Sequence, residues 1–457
     1  MQLCKLGGSR IRRVACMTFL ASDPTVRTTQ DLVRIDTTNW GNGRSRGELE
    51  AAEYLEARLA ALGCRVQVFE SAPRRTSIVT RIQGRNPDLP ALVVHGHTDV
   101  VPANSENWTV DPFSGDIRDG MLWGRGAVDM KNVDAMMLTA LEQLHRNGEQ
   151  PARDLIVAFF ADEEDGGKLG AHWLVDHHPE LFDGATQAIS EVGGYSIDVE
   201  GRRAYLIQTG EKGMIWARLR VKRRPGHGSK FVHPDNNAII QLAAAIVRIS
   251  EHEWPMHLGD TSTEMIAALC ELTGDSPQQI GPDELALRCG SAAAWLTASL
   301  RTTTNPTVLK SGDKQNVIPD TATVTLDIRP LPGDEDAVLT ELQRIVGDDV
   351  EIEIDWRFPG AEAPARSDLI DAATAALRVH DPEAKVVPYL LPAGTDNKSL
   401  ARLGIDGYGF APLRLPADLN FPAMFHGVDE RVPLESLVFG REVLVSFLRD
   451  FGDAADR

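Results

Sequence analysis

ALVVHGHTDV, residues 91–100, is the stretch on which the reading of the fold turns. Residues 91–94 are apolar without alternation, which marks a strand covered on both faces. That strand runs directly into His95, His97 and Asp99. Two further apolar runs behave alike. Residues 154–160 lead into Asp162, Glu163, Glu164 and Asp165, and residues 186–190 end in Glu191. Amphipathic helices are expected at 48–62, where Leu55, Leu59 and Leu62 share a face, and at 134–147. Gly63 and Gly148 stop them. Strands alternating with helices imply an α/β fold around a mixed, mostly parallel sheet. Ligands of such sheets bind outside the carboxyl ends of the strands, so three ends carrying acids or histidines point to one site.

The pattern changes after about residue 212. Alternation at 214–222, a helix at 236–250, strands at 303–310 and 321–329, a helix at 334–346 and a strand at 349–356 give a β-α-β-β-α-β order. That order implies a ferredoxin-like insert. Residues 253–297 do not fit it and read as a partly helical addition to the insert. From 357 the helix–strand alternation returns. A chain of 457 residues also exceeds what one core usually holds. The expected organisation is a first domain from 18–212 and 357–457, an insert at 213–356, and a disordered leader at 1–17.

A net charge of −19 repels phosphate backbones, so nucleic acid is excluded as a partner. The five cysteines, Cys4, Cys16, Cys64, Cys270 and Cys289, are odd in number and contain no C-x-x-C. They form neither a disulfide framework nor a thiolate metal site, and a reducing cytoplasm is expected. Arg10, Arg12 and Arg13 precede the apolar residues 14–21 in weak imitation of an export signal. The apolar part is short, however, and no small-x-small cleavage site follows. Met17 is an alternative start. No apolar run approaches the ~20 residues of a membrane span.

Taken singly, the polar residues have plain readings. His95 reads as structural. In H-x-D, His97 and Asp99 project to one side of an extended segment, where a carboxylate can fix the tautomer of a metal-facing imidazole. Taken alone, the tripeptide reads more simply as a satisfied structural histidine. Asp129, in the glycine-rich GRGAVDMK, either caps a helix or bridges two cations. Glu163 and Glu164 are adjacent and so diverge, which lets one bind metal while the other moves a proton. An acidic turn is the alternative.

Together, LVVHGHTDVVP, GRGAVDMK, FFADEEDGG, SEVGG, RPGHGSKFVHPDNNAI, NVIPDTATVTLDIRP, AGTDNK and FHGVDE resemble the metallopeptidase family of glutamate carboxypeptidase, succinyl-diaminopimelate desuccinylase, acetylornithine deacetylase and aminoacylase. The segments keep the family's order over most of residues 92–430. The resemblance implies that His97, Asp129 and Glu191 hold one divalent metal, and that Asp129, Glu164 and His426 hold a second, with Asp129 bridging. It makes Asp99 the residue that orients His97, and Glu163 the general base and acid. The insert becomes a lid and dimerisation domain of a homodimer, and His227 in PGHGS stabilises the oxyanion, often from the partner subunit. Asn316, Arg329 and Gly394 match positions that grip the substrate, commonly its carboxylate. Guanidinium suits that task, though a surface ion pair is the plain reading of Arg329. Zinc suits the N/O ligand set, with cobalt or manganese as alternatives.

Two departures stand out: the extra material at 253–297, and Val192 directly after Glu191. The resulting expectation is a two-metal hydrolase that cleaves an amide bond of a carboxylate-bearing peptide or dipeptide. A deacylase of N-acyl amino acids is the alternative. A non-catalytic metal-binding descendant is disfavoured by the intact Glu163 and ligand set. A phosphoesterase is disfavoured by the lack of a phosphate-cradling glycine loop.

Overall fold

The computed structural model describes residues 18–453; the leader expected at 1–17 lies outside them. Helix α1 (Pro24–Arg34) starts with proline in its first turn, and the Asp23 carboxylate accepts the Thr25 N–H at 2.8 Å. Helix α2 (Leu49–Ala61) buries Leu55 and Leu59 as its periodicity requires. There follow β1 (Gln67–Ala72), β2 (Arg75–Ile82), β3 (Ala91–His97), α3 (Lys131–Asn147), β4 (Leu155–Phe160), β5 (Ala185–Ser190), β6 (Ser196–Val199) and β7 (Arg202–Glu211).

A second group comprises β8 (Met214–Lys222), α4 (Ala238–Glu251), α5 (Asp260–Thr273), β9 (Thr303–Ser311), β10 (Thr321–Arg329), α6 (Glu335–Val346) and β11 (Glu351–Phe358). The chain then adds α7 (Asp368–His380), β12 (Val386–Leu391), β13 (Asp406–Gly409) and α8 (Leu434–Asp450).

The large sheet runs β6-β7-β13-β5-β3-β4-β2-β1, with β12 also paired to β7. It is mixed. β3 is parallel to both β4 and β5, and β13 is parallel to β5. β2 is antiparallel to β4, as is β1 to β2. Every residue of β3 and β4 is buried. Alternation explains it: Leu92, Val94, Leu155 and Val157 enter the core shared with α1, α3 and α8, while Val93, Ile156, Ala158 and Phe160 enter a second core with Leu174 and Leu400. Because β3, β4 and β5 are adjacent and parallel, His97, Glu163, Glu164 and Glu191 emerge at one sheet edge.

The smaller sheet runs β9-β10-β8-β11 and is antiparallel throughout. Ile215, Leu219, Val324 and Ile328 pack beneath Leu242 and Ile249 of α4 and Leu342 of α6. Residues 253–297 depart from the sequence reading, which attaches them to this insert. Met265, Ile266, Leu269, Leu285 and Leu296 join the core of the large sheet instead, with α5 against β12 and β7. The physical reason is that α4 and α6 already cover the apolar face of the small sheet. No helix among the described residues is long and apolar enough to cross a membrane.

Candidate metal and substrate site

His97 ends β3 and is 1% exposed. Its Nε2 lies 3.1 Å from Asp129 Oδ1, 3.5 Å from Glu191 Oε1 and 3.9 Å from Glu163 Oε2. Its Nδ1 faces Asp99, 3.0 Å from the carbonyl oxygen and 3.5 Å from Oδ1. The other oxygen of Asp129 lies 3.3 Å from Nε2 of His426, and that nitrogen is 3.0 Å from Glu164 Oε2. Asp129 thus shows one oxygen to each imidazole. Two overlapping sets of donor atoms lie within 4.8 Å of one another: His97, Asp129 and Glu164, and His97, Glu163 and Glu191. Glu164 Oε1 is buried without a hydrogen-bond partner among the described residues. Asp162 and His426 hold left-handed backbones, with φ of 65° and 57°, a conformation that functional sites over-represent in non-glycine residues.

The electrostatics fit a cation site. Burial raises Glu163 well above the ordinary carboxylate range, with Glu191, Asp396 and Glu164 adding repulsion. Burial pushes Glu191 up to about 7 and, with Asp129, raises Glu164. Burial alone would lower His97, but Glu191, Asp129 and Asp99 outweigh it and hold the ring well above its ordinary value. Hydrogen bonding to Asp129 and Glu164 pushes His426 up to about 11. Among the described residues, four crowded carboxylates are relieved by protons, on the imidazoles and on the raised acids themselves. A cation would replace those protons, so its apparent affinity rises with pH. The all N/O donor set and the orphaned Glu164 oxygen fit a hard or borderline divalent ion.

A cavity of about 230 Å³ opens beside this cluster. Glu163, Glu164 and His426 line it, together with Met214, Trp216 and Phe358 of the small sheet. Arg329 and Gly394 also line it, but Arg329 already grips Asp327 through Nε at 2.6 Å and Nη2 at 3.0 Å. The sequence reading missed Lys398. It is 6% exposed, lines the cavity, and its ammonium makes no hydrogen bond or ion pair within 4.0 Å among the described residues. A Cβ on Gly394 would lie 2.2 Å from Lys398 Nζ, so glycine there makes room for the cation. The signal was present in AGTDNK, whose lysine follows the aspartate by two.

His227 and Asn316 are not brought to this cavity. They lie together on an exposed part of the small-sheet unit, where the Gly228 N–H donates to the Asn316 carbonyl at 2.8 Å and His227 Nδ1 is 2.8 Å from Ser229 Oγ. A larger cleft, about 730 Å³, lies between α7 and the end of α8, but no residue of the cluster lines it. Convergent chemistry, rather than volume, marks the site.

Residues 93–450 match the family described as Peptidase family M20/M25/M40. The chain belongs to that family. It is 30% identical over 399 residues to Aminoacylase-1 of Homo sapiens, covering 85% of each protein. It is 30% identical over 392 residues to N-fatty-acyl-amino acid synthase/hydrolase PM20D1 of Xenopus tropicalis, covering 80% of this chain and 73% of that one. Among solved structures, the M20 family metallo-carboxypeptidase Sso-CP2 from Sulfolobus solfataricus has the same fold, with a TM-score of 0.72 at 17% identity, covering 93% of this chain and 99% of that one. Human carnosine dipeptidase 1 gives 0.71 at 15%, covering 98% and 99%. This M20 chain is an amide-bond hydrolase with the mixed α/β fold of its relatives.

In this M20 member the backbone around Asp129 is held by a residue that sequence reasoning passed over. Glu430, 0% exposed, accepts the N–H groups of Gly126, Val128 and Asp129 at 3.1, 2.6 and 2.9 Å and pairs with Arg125 at 2.7 Å. Nothing within FHGVDE sets this acid apart in sequence from Asp429 beside it. Removing one partner of a buried ion pair costs about 3–5 kcal/mol. Glu430→Ala is therefore expected to lower the unfolding free energy by about that amount in urea titrations of the metal-free protein. A change below about 1 kcal/mol would contradict the role given to this carboxylate.

Proposed function

We propose that the chain hydrolyses an amide bond of a carboxylate-bearing peptide or dipeptide with two divalent ions, zinc being the preferred identity. The observation that carries this is Asp129, whose two oxygens face His97 and His426 separately, with Glu163 beside them. His97, Asp129 and Glu191 would hold one ion, and Asp129, Glu164 and His426 the other. When bound, such ions polarise a carbonyl and acidify water. Asp99 keeps the His97 ring turned toward the cluster. Glu163 takes a proton from the attacking water and returns it to the leaving amine, a task for which its carboxylate is placed beside His97 and Glu191. Lys398, Arg329 and Gly394 form the end of the cavity that receives the substrate carboxylate.

The same site serves deacylation of N-acyl amino acids, a second reading favoured by the 30% identity to Aminoacylase-1. For His227 and Asn316 to act on the oxyanion and substrate, a partner subunit must supply them. Supporting a homodimer, α4 exposes Ile239, Ile240 and Val247, and β9, an edge strand, exposes Val308 and Leu309. Free Cys64, Cys270 and Cys289 suit a cytoplasmic setting.

The test is a panel of dipeptides and N-acyl amino acids, each paired with its carboxamide, assayed before and after chelation. Hydrolysis of each acid faster than of its carboxamide, and abolished for both by chelation, is expected. Indifference to chelation, or no hydrolysis of any acid, would overturn the proposal. Within that panel, Lys398→Met should raise KM for the acids by roughly 10-fold or more, the scale of a lost charge-assisted contact, and leave the carboxamides unchanged. Equal effects on both would remove Lys398 from the carboxylate end.

A further inference from the structure

Asn39 stands in TTNWG, where asparagine reads as a turn residue. The structure instead buries it, at 4% exposure, in the short strand Asn39–Gly41 behind His97. Its Nδ2 donates to Asp99 Oδ2 at 2.9 Å and to Asp162 Oδ1 at 3.1 Å, while its Oδ1 accepts the Gly41 N–H at 3.0 Å. An amide nitrogen carries two hydrogens, so both carboxylates are served at once.

The two aspartates belong to different halves of the site. Asp99 backs His97, and its oxygens accept the N–H groups of Glu163 and Glu164 at 3.1 and 3.2 Å. Asp162 stands at the root of the turn that carries those glutamates, and its Oδ2 accepts the Leu169 N–H at 2.8 Å. Arg75 donates to Asp162 and lies 3.2 Å from Glu48, a third buried carboxylate. One guanidinium and one amide thus hold three acids together. An aspartate at position 39 would turn donors into acceptors facing two acids, and an alanine would leave both acids short of a partner.

We propose that Asn39 is a positioning residue of the metal site. Its amide ties the aspartate behind His97 to the aspartate beneath Glu163 and Glu164, and so sets the spacing of ligands contributed by β3 and β4. The inference rests on reading the cluster as the two-ion site proposed above. Residues that orient metal ligands from behind typically govern affinity or activity by about 10–100-fold.

The experiment compares the native chain with Asn39→Asp and Asn39→Ala. It measures zinc affinity by chelator competition, kcat and KM on a hydrolysed amide, and melting of the metal-free proteins. Zinc affinity and kcat should each fall by about 10–100-fold, with KM within about two-fold. A merely structural role would lower the melting temperature while zinc affinity and kcat of the folded protein stay within about two-fold, and that result overturns the proposal. Should Asn39→Asp fail to fold, Asn39→Ser takes its place with the same outcomes. A native chain that binds zinc and hydrolyses amides, beside an Asn39→Asp chain that equals it, overturns the positioning role alone. A native chain that binds no zinc overturns the metal-site reading and this inference with it.

Discussion

Glu163→Gln should turn over substrate roughly 10³-fold more slowly than the native chain while holding the same two ions. The amide keeps the shape of the side chain but can neither take nor return a proton. Metal retention is expected because Asp129, Glu164, Glu191 and both imidazoles remain, and because the turn is anchored from its backbone, through the N–H groups of Glu163 and Glu164 on Asp99. Steady-state rates and metal analysis of the same preparation check both halves. Turnover within about ten-fold of native would exclude Glu163 as the proton carrier, since that role contributes about 10²–10⁴-fold. Low turnover with lost metal would make it a ligand instead, a role its 3.9 Å approach to His97 Nε2 keeps in view.

Asp129→Ala should release both ions, whereas Glu191→Ala should weaken only one. The asymmetry follows from geometry. Among the described residues, Asp129 alone lies within 4.0 Å of both His97 and His426, at 3.1 and 3.3 Å, while Glu191 meets His97 at 3.5 Å. Activity of Asp129→Ala should fall to background, because neither carbonyl polarisation nor water activation survives without the pair of ions. Calorimetric zinc titrations of both variants decide the matter. Asp129→Ala retaining one ion at native affinity would show that the carboxylate serves one ion only.

The large sheet and its site were legible because parallel strands covered on both faces must be continuously apolar. Residues 91–94 and 155–160 therefore announce themselves, and the polar residues at their ends stand out by contrast, whereas 186–190 is apolar only at Ala188 and Ile189. β7 was not foreseen. Its buried Gln208, Thr209 and Glu211 break the apolar run that would have marked it. The placement of 253–297 was illegible for another reason: an amphipathic helix states that it has a partner without saying which sheet. Lys398, Glu430 and Asn39 escaped because their types are commonest on surfaces and turns, and only burial distinguishes them. His227 and Asn316 were legible as motifs, yet both stand exposed on this one chain, in keeping with a role that a partner subunit would complete.

This cluster should bind two ions, and hydrolysis should depend on them. The direct measurement is a zinc titration of the chelator-stripped enzyme, followed by calorimetry and amide hydrolysis together at two pH values. The expected result is two equivalents bound, rates restored as the second binds, protons released, and tighter binding at the higher pH as His97, His426 and Glu191 give up protons. A single equivalent, or hydrolysis undiminished in the stripped enzyme, would contradict it.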